Sequence, residues 1–248
     1  MNIERVQKFL SSQGFGSRRK IEKMILSEKI YINNKKIFLG DKIDTNKKNI
    51  IKLNNVLINC TLNRNFITRV LLYNKPQKEI STSIESDMRK TIFSNLPKMY
   101  NSRWISVGRL DFNTEGIIFF TNNGELANRL MHPKYKISRK YLVKVYGNIN
   151  INKINKLKKG VLLNNKIALF QKIEYFYENK NFNKWFIVTL SEGRNREVKR
   201  LWNSVGISVS KLIRLQYAGF SIPNKLLPGC WIELNKNEVV KLLKKVNL

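Results

Sequence analysis

The sequence predicts an α+β fold, in which a small helix-helix-hairpin domain precedes a larger domain built on a largely antiparallel mixed sheet with flanking helices. The length of 248 residues and the 42% hydrophobic content allow one large or two small cores. The chain opens with two segments of helical periodicity and a short hairpin. The later strand-like runs do not alternate strictly with helices, which disfavours a doubly wound parallel sheet.

The small domain is predicted first. Apolar residues at helical spacing predict a helix over residues 3–12, which Gly14 would end. Ser17 can cap a second helix, whose first turns are crowded with basic residues. A hairpin should follow, because an Asn-Asn pair tolerates the positive φ of a tight turn. Its strands and turn are residues 30–32, residues 36–38 and Asn33-Asn34.

An Asn- and Lys-rich stretch with a weak strand signal at 56–58 predicts a domain boundary. We expect the small domain to span residues 1–62, a linker to span 63–67, and the second domain to span 68–248. Apolar runs in the second domain predict strands at 66–73, 117–121, 140–146, 168–177, 185–190 and 211–217. Helices are predicted at 91–96, 125–131, 151–159, 194–205 and 235–246.

The chain is very basic. Lys and Arg total 47 against 17 Asp and Glu, which gives a net charge of +30. A field of this size favours a polyanionic partner, either a nucleic acid or an anionic membrane surface. Lys, Asn and Ile are all abundant, so part of the charge is also consistent with compositional drift. The positions of the basic residues therefore carry more information than their number.

Several kinds of site are disfavoured. Cys60 and Cys230 stand alone, and His132 is the single histidine, so we expect no disulfide framework and no metal. His132 precedes a proline at a predicted helix end, where a capping role is the commoner one. No phosphate-binding loop motif is present. The start lacks a signal-like apolar run and no stretch has the length of a membrane span, so we expect a soluble, cytoplasmic protein. We also expect the protein to be a monomer.

Residues 107–116 are the most informative segment. Asp111 follows Arg109 and directly precedes a predicted strand. It could be a turn aspartate whose side chain caps the N-H groups of Asn113 or Thr114. It could instead be a carboxylate nucleophile or base, kept ionised by basic neighbours. The spacing alone does not choose between these interpretations.

Four separated segments, taken in order, resemble the pseudouridine synthase family. These are YNKP at 73–76, GRLDFNTEG at 108–116, GELANRLMHP at 124–133 and GRNREVKRLW at 193–202. The last two are especially similar to members that act on bacterial large-subunit rRNA. The first forty-odd residues resemble the small RNA-binding domain first recognised in ribosomal small-subunit protein four. The resemblance covers nearly the whole chain, and it is specific because the motifs occur in the family's order.

The resemblance implies that the chain isomerises a uridine of 23S rRNA to pseudouridine, without metal or other cofactor. In this interpretation Asp111 is the catalytic carboxylate, which attacks the ribose, attacks the ring, or assists removal of the 2′ proton. Lys199 would form an ion pair with it, and Tyr141 would stack on the target uracil. Many members of the family have glycine where this chain has Lys78. The sequence therefore does not predict the conformation of that loop.

The residues expected to contact RNA are all basic. The predicted helix at 194–205 has opposed faces, because Arg196, Lys199 and Arg200 recur on one side and apolar residues on the other. A solvated charged face would give the same pattern. Together with the resemblance, these clusters predict RNA contacts by Arg18, Arg19, Lys20, Lys75, Arg109, Arg194, Arg196 and Arg200.

Two other functions remain open at this stage. One is a sister synthase that acts on another rRNA site, such as the small subunit. The other is an rRNA-binding or assembly factor that keeps the fold without catalysis. The combined presence of Asp111, Tyr141 and Lys199 disfavours the second.

Overall fold

The computed structural model describes residues 3–58, 60, 67–83, 89–178 and 183–248. The predicted α+β class is confirmed. The helices are α1 (Val6–Ser12), α2 (Arg18–Leu26), α3 (Gly124–Met131), α4 (Ile151–Lys159), α5 (Glu197–Asn203) and α6 (Lys236–Lys245). The strands are β1 (Ile3–Arg5), β2 (Ile30–Ile32), β3 (Lys35–Lys36), β4 (Lys42–Asp44), β5 (Ile51–Leu53), β6 (Val56–Ile58), β7 (Val70–Lys75), β8 (Ile105–Val107), β9 (Thr114–Thr121), β10 (Arg139–Tyr146), β11 (Val161–Leu163), β12 (Lys166–Ala168), β13 (Lys172–Glu178), β14 (Asn183–Leu190), β15 (Ser208–Tyr217), β16 (Phe220–Ser221) and β17 (Trp231–Glu233).

The chain divides into two compact units. The first unit takes in two later segments beside the N-terminal one, and its parts are Met1–Arg69, Pro97–Ile105 and Thr121–Gly124. Arg103 Nε, for example, donates to the carbonyl oxygen of Ser11 at 3.2 Å within this unit. The second unit comprises Val70–Leu96, Ser106–Phe120 and Glu125–Leu248. The domain boundaries at 62 and 68 stay a prediction, because all of the linker 63–67 except residue 67 lies outside the described residues.

The first unit keeps the predicted helix-helix-hairpin order. Ser17 caps α2 by accepting from Lys20 N at 3.2 Å, and the hairpin turns at Asn33-Asn34, where both residues have positive φ. The helix predicted over 3–12 is wrong at its start, because residues 3–5 pair with β4 as strand β1. The sheet of the first unit has the order β3-β2-β5-β6, and the sequence pattern did not predict β4 and β5.

The second unit is organised around a nine-stranded mixed sheet. Its main path runs β13-β14-β10-β15-β9-β7-β17, with β16 beside β15 and β8 beside β9. The pairs formed by β10 with β14 and with β15 are antiparallel, whereas β15 and β9 run parallel. The largely antiparallel mixed sheet predicted from sequence is therefore confirmed.

The central strands align their residues in rows across the sheet. Tyr141 of β10 pairs with Arg214 of β15, which in turn pairs with Gly116 of β9. Leu212 of β15 pairs with Thr114 of β9 in the next row on the same face. Residues far apart in sequence thus become neighbours on one face of the sheet.

Two predicted elements of the second unit differ from the structure. No helix forms over 91–96, because Thr91 Oγ1 accepts from Phe93 N at 3.2 Å and Ser94 Oγ accepts from Thr91 N at 3.2 Å. These local side-chain bonds favour turns over a helix. The strand predicted at 168–177 is interrupted, so that it divides into β12 and β13.

The helices begin and end for local reasons. Asn150 caps α4 by accepting from Lys153 N at 3.0 Å, and Asn235 forms a capping box with Glu238 at the start of α6. Helix α5 starts at Glu197, later than predicted, because Arg196 has a left-handed φ of 49°. Among the described residues, no helix is long and apolar enough to cross a membrane.

Gly116 makes the parallel pairing of β9 and β15 possible. Its φ is +110°, and a Cβ there would lie 2.7 Å from the backbone nitrogen of Arg214 and closer still to its carbonyl oxygen. Gly229 also has a positive φ, +83°, but a Cβ there would meet nothing within 4 Å. The two positions thus share a backbone restriction and differ in contact.

We predict that Gly116→Ala lowers the free energy of unfolding by about 1–3 kcal/mol more than Gly229→Ala does, because only the former forces two strands apart. The shared positive φ should cost both variants about 1–2 kcal/mol. Urea unfolding of both variants and the wild type measures the difference. Equal losses would show that β15 is not in close contact with Gly116.

Candidate active site

Asp111 lies in the turn between β8 and β9. The turn is closed by the main chain, since Thr114 N donates to the carbonyl oxygen of Asp111 at 3.0 Å. Ser81 Oγ clamps the preceding residue, donating to Leu110 O at 2.7 Å and accepting from Leu110 N at 3.1 Å. The carboxylate of Asp111 is therefore not needed to close its own turn, which favours a chemical role over a capping role.

Lys75 supports the same turn from below, and the RNA contact expected for it is wrong. The residue is 0% exposed, so its ammonium group cannot reach RNA from this position. Instead Nζ donates to the carbonyl oxygens of Pro76 at 2.9 Å, Thr114 at 3.0 Å and Phe112 at 3.5 Å. Lys75 therefore holds the main chain that directly follows Asp111 against the end of β7.

Burial changes the titration of Lys75. Desolvation lowers its pKa from 10.5 to about 8, although the negative charges of Glu79, Asp111 and Glu115 oppose the shift. The charged form of a buried amine is the disfavoured one, so this lysine is held ionised by its carbonyl partners and its acidic neighbours.

Lys199 lies next to Asp111. Its Nζ is 3.8 Å from Asp111 Oδ2, and the two side chains are 19% and 38% exposed. At this distance the contact is electrostatic rather than a hydrogen bond. A pair this exposed contributes little to stability, but it places a positive charge beside the carboxylate.

Helix α5 places Lys199 by burying its opposite face. Val198, Leu201 and Trp202 are at most 5% exposed. The indole of Trp202 packs against the rings of Phe170 and Phe186, with centroids 5.8 and 5.3 Å away. Because Lys199 lies on the other side of the helix, the apolar anchors turn it toward the Asp111 loop.

Tyr141 is buried on the same side of the sheet, with 7% of its surface exposed. Strand β10 has an irregular register with β15 between Lys140 and Tyr141, a feature that re-aims side chains. The ring lines the cavity that Asp111 also lines. Asp111 and Tyr141 thus border the same space.

The cavity has a volume of about 630 Å³, which is in the range of small-ligand sites. Its wall combines an apolar part with charged and polar groups. The lining residues include Arg109, Asp111, Thr114, Arg139, Tyr141, Arg196, Leu212, Arg214 and Tyr217. Lys199 reaches Asp111 from α5 without itself lining this space.

The four arginines predicted near the site differ in their contacts. Arg109 and Arg196 are exposed and line the cavity, so both are placed to meet a polyanion. Arg194 is bound within the protein, since it donates to Glu192 at 2.7 Å and to the carbonyl oxygen of Ile167 at 2.9 Å. Arg200 donates to Asn164 at 2.7 Å. Arg194 therefore links the loop before α5 to the β11–β12 hairpin, and Arg200 links α5 to the same hairpin.

The cavity residues that were not selected from the sequence include Thr114, Arg139, Arg214 and Tyr217. Arg139 and Arg214 are only 5% and 3% exposed, and each guanidinium lies within 5 Å of the Tyr217 ring centroid, at 4.9 and 4.7 Å. The sequence did contain a signal. Arg214 lies two residues after the apolar Leu212, so both side chains point to the same face of β15. A charged residue at an inward strand position indicates either an internal partner or a ligand.

The predicted basic cluster of the first unit lies at the start of α2. Arg18, Arg19 and Lys20 are all exposed. Ser17 caps the helix, so the three side chains occupy its first turn, where a polyanion also meets the positive end of the helix dipole. This arrangement is compatible with the RNA contact expected from sequence.

Three further sequence observations have structural outcomes. Lys78 has a φ of +65°, the conformation that glycine prefers, and its N-H donates to Phe112 O at 2.9 Å. His132 caps the turn that follows it, accepting from Lys134 N at 3.1 Å. Within the described ranges, no three His, Cys, Asp or Glu side chains cluster as metal ligands would.

Known proteins match both the N-terminal part of the chain and the larger part that follows it. Residues 69–204 match the family model described as RNA pseudouridylate synthase, and residues 4–47 match the S4 domain. The "Ribosomal large subunit pseudouridine synthase B" of Buchnera aphidicola subsp. Baizongia pistaciae (strain Bp) is 45% identical over 246 residues, covering 99% of both chains. The protein of the same name from Yersinia pestis is 42% identical over 245 residues, covering 99% of this chain and 77% of the relative.

A solved structure supports the fold. The match is titled "Crystal structure of pseudouridylate synthase" and has a TM-score of 0.64 at 23% identity. It covers 96% of this chain and 99% of that chain. The small N-terminal domain and the mixed-sheet domain predicted from sequence are thus both confirmed as to type.

The lowered pKa of Lys75 predicts a pH dependence of stability. Between pH 8 and 10.5 the unfolded chain keeps a proton on this amine that the folded chain loses, so this group makes stability rise with pH there. From pH 7 to 9 the contribution should be about 1 kcal/mol. Urea unfolding of the wild type and Lys75→Met at both pH values measures it.

The difference between the two proteins is the informative quantity, because other groups titrate equally in both. The stability of the wild type should gain on that of Lys75→Met as the pH rises. A constant difference would contradict the burial of a charged amine at this position.

Proposed function

Because the chain belongs to the RNA pseudouridylate synthase family, we propose that it converts a specific uridine of bacterial large-subunit (23S) rRNA to pseudouridine. The observation that carries the proposal is that Asp111 and Tyr141 line one cavity, while Lys199 lies 3.8 Å from the Asp111 carboxylate. These residues lie on a loop, a helix and a strand that are separated in sequence. One hydrophobic core, which includes Leu110, Tyr141 and Trp202, packs the three elements together.

The reaction breaks the bond between uracil N1 and ribose C1′, turns the base, and forms a bond from C5 to C1′. A proton leaves C5 and N1 gains one, so the composition does not change. In the proposed mechanism Asp111 acts as the ionised carboxylate, through the ribose, the ring or the 2′ proton. Lys199 places a positive charge beside that carboxylate, and Lys75 fixes the loop geometry.

Tyr141 has two proposed tasks. Its ring stacks on the uracil, and its hydroxyl group helps to take the proton from C5. The base must first leave its stack, which costs about a few kcal/mol. Contacts inside the cavity and to the phosphates around it offset this cost. Arg109, exposed beside Asp111, is placed to fill the space that the base leaves.

RNA binding is divided between an exposed cluster and the cavity rim. We assign backbone contacts to Arg18, Arg19 and Lys20, and local contacts near the target to Arg109 and Arg196. We assign Arg194 and Arg200 a structural role, because their guanidinium groups donate hydrogen bonds within the protein. We also propose that the protein is a monomer that acts in the cytoplasm.

The direct test maps pseudouridine in unmodified large- and small-subunit rRNA after incubation with the wild type, Asp111→Asn and Lys199→Ala. We expect product in large-subunit rRNA with the wild type and none with Asp111→Asn, while both bind RNA alike. Lys199→Ala should lower turnover more than it lowers affinity, because it removes a charge that acts on Asp111.

The other outcomes discriminate between functions. Product only in small-subunit rRNA would assign the chain to the sister activity. RNA binding without product would support an assembly factor. Full activity of Asp111→Asn would reject the mechanism, and unchanged turnover of Lys199→Ala would reject the ion pair.

A second prediction concerns the basic cluster. Replacing Arg18, Arg19 and Lys20 together by alanine should weaken rRNA binding and reduce the slope of log affinity against log salt by about 2–3. The matched control replaces Lys156, Lys158 and Lys159, which are exposed on α4 and carry the same total charge. Binding titrations at several salt concentrations compare the two.

The control should lose much less affinity if binding is local to the cluster. Equal losses in the two triple variants would mean that the net charge of the chain, and not this cluster, supplies the affinity.

A further inference from the structure

Two buried polar atoms on the cavity wall are unpaired. Among the described residues, Arg214 Nη2 and Thr114 Oγ1 have no hydrogen-bond partner, although the two residues are only 3% and 2% exposed. Both residues line the cavity that contains Asp111. Buried polar groups are almost always hydrogen-bonded, so two unpaired atoms on residues that line one cavity make these side chains the candidates for contact with a ligand there.

The guanidinium of Arg214 is held rigidly. Its Nε donates to Ile117 O at 2.7 Å, and the ring of Tyr217 lies 4.7 Å from its Cζ. Because the guanidinium is planar, fixing Nε and one face also fixes the direction of Nη2. The donor is therefore oriented before any ligand arrives, which lowers the cost of using it.

The sheet places this donor beside the proposed stacking residue. Arg214 pairs with Tyr141 across β10 and β15, and with Gly116 across β15 and β9. Thr114 lies two residues before Gly116 and therefore on the same face. A base stacked on Tyr141 would thus present its edge to Arg214 and Thr114.

We propose that Arg214 and Thr114 recognise the edge of the target uracil that lies away from the ribose. Arg214 Nη2 donates to O4, and Thr114 Oγ1 accepts the N3 proton. The inference rests on the proposed function, since it assumes that a uridine enters this cavity. Asp111 must reach the sugar or the ring near it, and it is the more exposed group, with 38% of its side chain accessible. We therefore assign Arg214 and Thr114 to the far edge of the base.

The chemistry of the base fits this pair of contacts. Cytosine carries an amino group in place of O4 and no proton on N3, so it would oppose a donor to a donor and leave the hydroxyl acceptor unused. Rotation of uracil about its N3–C6 axis exchanges O4 with O2 and leaves the N3 proton in place. Arg214 therefore meets a carbonyl oxygen before and after the base turns, and the same two contacts serve both halves of the reaction.

The test replaces the target uridine by 4-thiouridine in an RNA fragment that contains the mapped site, because sulfur accepts hydrogen bonds poorly. We expect the wild type to form product from the thio substrate about tenfold more slowly than from uridine. Arg214→Met should be slower than wild type on uridine and show no further loss with 4-thiouridine. The ratio of the two rates within one protein is independent of the fraction that is folded.

Arg139→Met is the matched control. Arg139 is also a buried guanidinium against Tyr217, but its Nη1 and Nη2 donate to carbonyl oxygens of Ile137 and Leu130. This variant should keep the tenfold penalty even where its overall rate falls. If Arg214→Met forms no product, the same ratio is measured as RNA affinity in an Asp111→Asn background, with the same expectation.

A penalty that persists in Arg214→Met, or one absent from the wild type, would overturn the inference. Failure of the wild type to form pseudouridine in any unmodified rRNA would reject the proposed function and this inference with it. Product formation on uridine by the wild type therefore separates the two failures.

Discussion

The close parallel pairing of β9 and β15 is the contact on which the site depends. It begins at Thr114, directly after the Asp111 turn, and it tolerates no side chain at Gly116 because the backbone of Arg214 lies against that position. This contact joins the catalytic loop to a strand about one hundred residues later. Once β15 is fixed there, its antiparallel pairing with β10 brings Tyr141 into the same row.

The chain uses charge in three physical settings. Lys75 is buried below the Asp111 loop, where main-chain carbonyl groups satisfy its ammonium and desolvation lowers its pKa to about 8. Lys199 is partly exposed, so its effect on Asp111 is electrostatic and modest in stability. The exposed residues Arg18 and Arg19 are available to a polyanion. Net charge alone does not distinguish these settings, because water screens the third far more than the first.

Prediction succeeded where the determinants are local. Helix α4 has the bounds that its cap and apolar spacing predict, and the Asn33-Asn34 turn forms as its dipeptide predicts. It failed where a tertiary partner decides the outcome. Residues 3–5 continue a helical pattern in sequence, but they pair with β4, and the hydroxyl groups at 91–94 bind the local backbone instead of extending a helix.

The sequence by itself determined the family and the type of both domains, and it selected Asp111, Tyr141 and Lys199 as the proposed catalytic residues, because motif order and periodicity are properties of the chain. Only the tertiary structure decided which basic residues face solvent and which are enclosed. Lys75 and Arg214 look no different from other basic residues in the sequence. Their roles follow from strand pairing between distant segments, since burial in a low-dielectric interior, and not residue type, sets what a charge can contact.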